Sequence, residues 1–149
     1  MTTIPGGSRM PPWPVALVLL FWGWTVLGFG FFAVYWHSLS HWFMAALSLF
    51  LGVAVFFRWR VGFWMSVVGC AAGIGGTLAR ISAVDDPPRF LFASLAIGLG
   101  SLLVHQVLGF LKWFGFSNAR AVRLGCWLFA AIVCVIAEFW LFRFLPKDR

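Results

Sequence analysis

Glu138 is the one carboxylate set inside a long apolar run of this chain; the other acidic residues are Asp85, Asp86 and Asp148. A carboxylate in hydrocarbon costs several kcal/mol unless it is protonated or paired. It therefore suits either a proton or ion site or a structural bond to a neighbouring helix or subunit, and the structural bond is the expectation. At helical spacing Glu138 shares a face with Ala130, Ala131 and Cys134, which directs it toward protein. Arg80 is the expected counter-charge, because counting antiparallel crossings puts both residues near one end, about 7 Å apart in depth at 1.5 Å per residue. Arg143 is the alternative, with a long stem that lets its head reach an interface.

His105 lies toward the opposite end with Ser101 four residues before it. That pairing predicts a hydrogen bond across helices, and an imidazole so placed is also a ligand type for a haem iron or a chlorophyll magnesium. His37 and His41 are likewise four apart, on the side of Asp85 and Asp86. Two imidazoles with a carboxylate are a possible metal set, yet Trp36 and Trp42 flank them, so interfacial anchoring is expected and no metal site is assigned. The chain has no Ser-His-Asp order, no phosphate-binding loop and no Cys-x-x-Cys; Gly73, Gly75 and Gly76 follow no strand, which excludes a nucleotide fingerprint. Cys70, Cys126 and Cys134 are read as small apolar packers. No catalytic residue is assigned, and the chain is not expected to be an enzyme.

The elements that must hold these residues follow from composition. Of 149 residues, 62% are hydrophobic and 10% charged, with a mean hydropathy of +0.96, against roughly 25% charged in soluble domains. This predicts an all-α, multi-pass integral membrane protein forming a single domain over 1–149. At about 20 residues per crossing, five spans are expected over 14–36, 41–57, 61–80, 89–113 and 122–145, with four as the alternative. Pro14 suits an opening turn, while Asp85, Asp86, Pro87 and Pro88 stop the third span. Ser117 or Asn118 can cap the fifth, and Pro146 ends it. The apolar run after the Pro- and Gly-rich first thirteen residues is longer than a signal-peptide core, so a retained first helix is expected.

Small residues recur at steps of four and three along three of the spans. Gly62, Ser66, Gly69, Gly73, Gly76 and Arg80 mark the third; His41, Ala45, Ser48 and Gly52 the second; Ser94, Gly98, Ser101, His105, Gly109 and Lys112 the fourth. Since a bilayer gives helices no hydrophobic drive to associate, such faces signal close helix packing, here in a left-handed bundle. Whether the faces meet within one chain or between copies stays open at this point.

The net charge of +7 comes from cations scattered at helix ends, which reads as interfacial anchoring and excludes a nucleic-acid face. Arg9, Arg58, Arg60, Lys112, Arg120 and Arg123 fall on one side, and Arg80, Arg89, Arg143, Lys147 and Arg149 on the other. Six against five gives only a slight preference for a cytoplasmic N-terminus. Aromatics near span ends, Trp22, Trp24, Trp36, Trp42, Trp59, Trp64, Trp113 and Trp140 among them, read chiefly as belts in contact with lipid. With no soluble domain and surplus aromatic surface, the expected role is a non-catalytic accessory or structural subunit of a larger membrane complex, such as a respiratory or photosynthetic one. Its expected contacts are lipid, pigment or neighbouring subunits. A small oligomeric channel or transporter using Glu138 and Arg80 is the alternative.

Overall fold

Pro12 precedes the first helix in extended conformation and Pro14 occupies its first turn, where a missing N–H leaves nothing unbonded. From there the chain is helical: α1 (Trp13–Trp36), α2 (Leu39–Phe56), α3 (Arg60–Ser82), α4 (Arg89–Val104), α5 (Leu108–Trp113) and α6 (Ala119–Phe144). The computed structural model describes residues 11–144, apart from the side chains of 142 and 144, and contains no strand among them. Arg9, Pro146, Lys147 and Arg149, used above for orientation and for ending the last helix, lie outside the described residues.

Four helices are long and apolar enough to cross a membrane: α1, α2, α3, and Ala119–Leu141 of α6. α4 is apolar but has only 16 residues, about 24 Å at 1.5 Å per residue, which falls short of a hydrocarbon core of about 30 Å. The single helix expected over 89–113 is therefore broken. Its first part stops at Val104, three residues turn, and α5 follows. The second span, expected to be the shortest, reaches 18 residues.

α3 is the hub. It packs against α6, α4 and α2, while α1 pairs with α2 and also touches α4 and α5. The share of buried residues falls from 44% in the α3 window to 11% in that of α6, so α6 leans on the bundle by one face. α3 and α6 run parallel, since Trp64 sits on Gly125 while, further along, Gly75 meets Cys134 and Ala137.

Close approach of backbones is real but falls only partly on the stripe read from spacing. A Cβ on Gly62 would lie 2.6 Å from that of Ala54, one on Gly76 2.9 Å from Leu141 Cδ1, and one on Gly98 2.9 Å from Ile74 Cγ1. Gly109, now on α5, meets Pro14, and Ser48 is buried with its hydroxyl donating to the Met44 carbonyl. Gly73, by contrast, is exposed and has open space beside it. The tightest contact belongs to a glycine outside the stripe: a Cβ on Gly75 would collide with the Cys134 carbonyl oxygen of α6. The buried residues of α3 include Gly62 and Ser66 of the stripe together with Phe63, Val67, Cys70, Ala71, Ile74 and Gly75, so larger side chains share the interior with part of the glycine row.

Two helix ends close by the same device. At the end of α2, Arg58 takes a left-handed φ of 61°, Trp59 N–H donates to Ala54 O and Arg58 N–H to Val55 O. After α5, Gly115 takes φ 71°, Phe116 N–H donates to Leu111 O and Gly115 N–H to Lys112 O. Both are six-to-one and five-to-two bonded Schellman turns. Each is tied to the other by a side chain: Trp113 Nε1–H donates to Val55 O at 3.0 Å, and Arg60 Nη2 to Gly115 O at 3.2 Å. The Arg58 guanidinium lies 3.9 Å over the Trp113 ring. Arg58 and Arg60, expected as interfacial anchors, thus stitch one end of the bundle.

Gly75→Ala should destabilise the protein by about 1–3 kcal/mol, the range for overpacking a tight contact, whereas Gly73→Ala should change stability by no more than about 0.5 kcal/mol, as for open surface sites. Unfolding titrations of both variants in mixed detergent micelles measure the contrast; equal effects would mean that α6 does not dock at Gly75.

Candidate functional site

The one cluster of buried polar side chains from different helices lies where α4 breaks. Among the described residues the buried polar side chains are Ser48, Ser66 and His105, and the last two meet. Trp22 of α1 donates Nε1–H to Ser66 Oγ of α3 at 3.1 Å, and Ser66 Oγ lies 2.8 Å from His105 Nε2. His105 Nδ1 lies 2.7 Å from the Ser101 carbonyl one turn back on α4.

Proton positions follow from what each group can do. A carbonyl only accepts, so Nδ1 carries the proton; Nε2 of the neutral ring then accepts from the Ser66 hydroxyl, whose oxygen in turn accepts from the indole. Each side-chain donor on this path meets one acceptor, and the Ser101 carbonyl accepts the His105 backbone N–H as well. A proton added at Nε2 would turn two donors toward Ser66 and leave the hydroxyl hydrogen without an acceptor. The Cys70 thiol donates to Ser101 Oγ at 3.4 Å, which adds a second α3 to α4 link beside the first.

Packing fixes the same atoms. Gly52 lies against the Trp22 Cβ, and a Cβ on Gly69 would stand 2.9 Å from the ring at Cη2. Here one of the expected packing glycines, Gly69, has a specific task, giving an indole room to reach Ser66. His105 has no exposed surface and is surrounded by rings, with centroids 4.7 Å from Phe110 and 5.9 Å from Phe63.

The break itself exposes backbone groups that need partners where water is excluded. Gln106 N–H and Val107 N–H tighten the helix end by bonding Leu103 O and Val104 O. Ser101 O takes the imidazole, Leu102 O accepts from Gln106 Nε2 at 3.4 Å, and Gln106 O accepts from Arg123 Nε of α6 at 2.9 Å. Arg123, read from sequence as a loop anchor, is thus a backbone cap for another helix. Spacing gives Gln106 no role, and its neighbouring aromatics put Trp22 with the interfacial belt. Its position nine residues past Trp13, well inside the apolar run, was the available signal.

The other expected sites are not assembled. Arg80 is exposed and Glu138 half-buried, and among the described residues Glu138 pairs with neither Arg80 nor Arg143. The reason is rotational: α3 turns the face with Ala71, Ile74 and Gly75 to α6, and Arg80 projects from another side. His41 packs on Trp36 at 5.4 Å between ring centroids, with Phe29 and Phe32 close by. Among the described residues no three His, Cys, Asp or Glu side chains gather as a metal set. For haem or pigment, His105 offers no free nitrogen, because both are already bonded inside the protein. Three apolar grooves of about 290, 170 and 190 Å³ lie between helices. None of the three is lined by Glu138, Arg80 or His105.

Chemically, the arrangement is a closed set of hydrogen bonds joining three helices. Ser66→Ala should lower stability by about 1–3 kcal/mol, because it strands the Trp22 N–H and the His105 Nε2 together. Ser94→Ala, which removes only a bond to the Phe90 carbonyl on an exposed face, should stay within about 0.5 kcal/mol. Detergent unfolding of the two variants, followed by far-UV circular dichroism, reads the difference. No protein-family model, no curated protein and no solved structure matches this chain.

Proposed function

We propose that the chain is a multi-pass membrane protein with a non-catalytic, structural role, packing its outer helices against other membrane-spanning chains. The observation that carries this reading is the contrast between the two places where polar chemistry meets apolar surface. Around His105 the indole, the hydroxyl and the imidazole bond to one another and both imidazole nitrogens are taken, so the ring has no lone pair to offer a substrate. Glu138, on the least buried of the long helices, pairs with no cation among the described residues. In a bilayer that carboxylate calls for a neighbour outside the fold.

The surface supports the same reading. Trp13, Trp24, Phe31, Tyr35, Trp36 and Phe90 are all more than half exposed, and Phe32 stacks on Trp36 at 4.9 Å. Exposed aromatic rings suit lipid interfaces and protein contacts alike. α4, too short to span alone, fits a bundle in which α5 and the stitched turns fill the remaining depth.

Solubilised in mild detergent from its native membrane, the protein should migrate as one assembly of fixed stoichiometry, seen by native mass spectrometry. Purified chain in liposomes should conduct no ions. Recovery as a monomer whose liposomes pass ions, with the flux abolished by Glu138→Gln, would overturn the structural role and establish a transport protein.

A further inference from the structure

We infer that the outward face of α6 is the interface with a second copy of this chain, formed by two parallel α6 helices with reciprocal Glu138 to Arg143 pairs. The inference rests on the structural role proposed above and names the neighbour that Glu138 requires.

Leu128, Ile132, Val135 and Phe139 follow one another at steps of four, three and four, and they are 58%, 58%, 64% and 63% exposed. At about 100° per residue these four lie within about 60° of one another. Cys126, Ala130, Cys134 and Ala137, the residues of α6 that are buried or half-buried toward α3, lie on the opposite side. Alternating steps of four and three residues, on a face kept free of its own bundle, follow the heptad pattern of a seam between two helices in a left-handed pair.

Exposed apolar residues alone would face lipid equally well, so the charges decide. Glu138 flanks the stripe on one edge and Arg143 on the other, about 90° and 50° from its centre at 100° per residue. Within one helix these two cannot meet, being five residues and about 140° apart, and the structure shows them unpaired. Between two parallel helices the residue flanking the seam on one edge meets the residue five positions further on along the opposite edge of its neighbour. The complement that Glu138 lacks is therefore present in an identical helix at the correct register. A two-fold axis along the bilayer normal makes both pairs at once, as an isologous contact requires. Glu138 is the only carboxylate within any of the six helices, so a pair in this position removes the one uncompensated negative charge of the apolar region.

Charge exchange tests this. Subunit association of the full chain is measured in liposomes by energy transfer between labelled copies at falling protein-to-lipid ratio. The unaltered protein should dimerise. Glu138→Arg and Arg143→Glu should each raise the dissociation constant by about tenfold or more, the effect of losing about 1.4 kcal/mol, and the double exchange should recover it to within about threefold. Glu138→Gln, which keeps the side-chain size, covers the case in which an arginine at 138 prevents insertion; it too should weaken the dimer about tenfold. As an independent reading, Ile132→Cys should cross-link to itself in membranes under mild oxidation.

Double-exchange protein that stays dissociated, together with no cross-link at position 132, would overturn the α6 dimer. If the unaltered protein is then found in fixed stoichiometry with a different chain, the structural role stands and only the partner is wrong. If it is a monomer with no companion, both readings fall.

Discussion

An imidazole buried in a ring of phenylalanines needs two hydrogen bonds, and the positions of three helices follow from supplying them to His105. One bond comes from its own helix, at the Ser101 carbonyl. The other needs a hydroxyl from α3, and that hydroxyl's oxygen in turn accepts from an indole of α1. Shifting α3 along α4 by one turn, about 5.4 Å, would take Ser66 out of reach of Nε2 and leave both groups unpaired in a region without water. Apolar packing of Val67, Ala71 and Ile74 would tolerate several registers, because dispersion is not directional. The relay selects one.

The same residue stands at the break in α4, and the two facts are connected. A helix end in apolar surroundings leaves carbonyls that only protein can satisfy. Here Gln106 Nε2 from the turn itself and Arg123 Nε from α6 donate to the Leu102 and Gln106 carbonyls, and the His105 imidazole adds a second bond to the Ser101 carbonyl. With the helix stopped, α5 can fold under the bundle and bury Phe110, Leu111 and Phe114 beneath the imidazole. The paired Schellman turns then hold that short segment against the α2 to α3 connection through Trp113 and Arg60. Three arginines that sequence reasoning places at lipid headgroups are thereby engaged with protein: two donate to backbone carbonyls, and Arg58 lies on an aromatic face. A carbonyl released at a helix end and the face of an indole are both suitable partners for a guanidinium.

How much of this was legible follows from what kind of signal each feature leaves. Pro14, the Arg58 to Arg60 turn, the Asp85 to Pro88 segment and Ser117 with Asn118 mark chain reversals because backbone chemistry is local. The break at His105 to Val107 left no such mark, since Val104, His105, Gln106 and Val107 include neither glycine nor proline. It is imposed by tertiary bonds. Spacing selected Ser66, Ser101 and His105 as polar faces, yet spacing gives no relative rotation between helices. For that reason Arg80 and Glu138, matched in depth, point to different sides, and Gly75, one residue off the stripe, makes the tightest approach. Trp22 shows the converse error: an aromatic near other aromatics reads as a belt unless its depth within the run is weighed.

The two ends of the polarity scale in this chain are handled in opposite ways. The Trp22, Ser66 and His105 side chains are neutral and complement one another within the fold, so their relay fixes a structure, while Gln106 Oε1 beside it is buried without a partner. Glu138 sits on the least buried of the long helices, where burying it fully would have required a cation on α3 facing inward. α3 cannot provide one at that point, because its approach to α6 is set by glycine at 75 against a backbone carbonyl, and a long basic side chain has no room there. A close backbone contact and an internal salt bridge are thus mutually exclusive on this face of α3. The charge left at the edge of α6 is a consequence of how tightly α6 docks, and it makes the outer surface of that helix specific in a way that its leucines, isoleucines and phenylalanines alone are not.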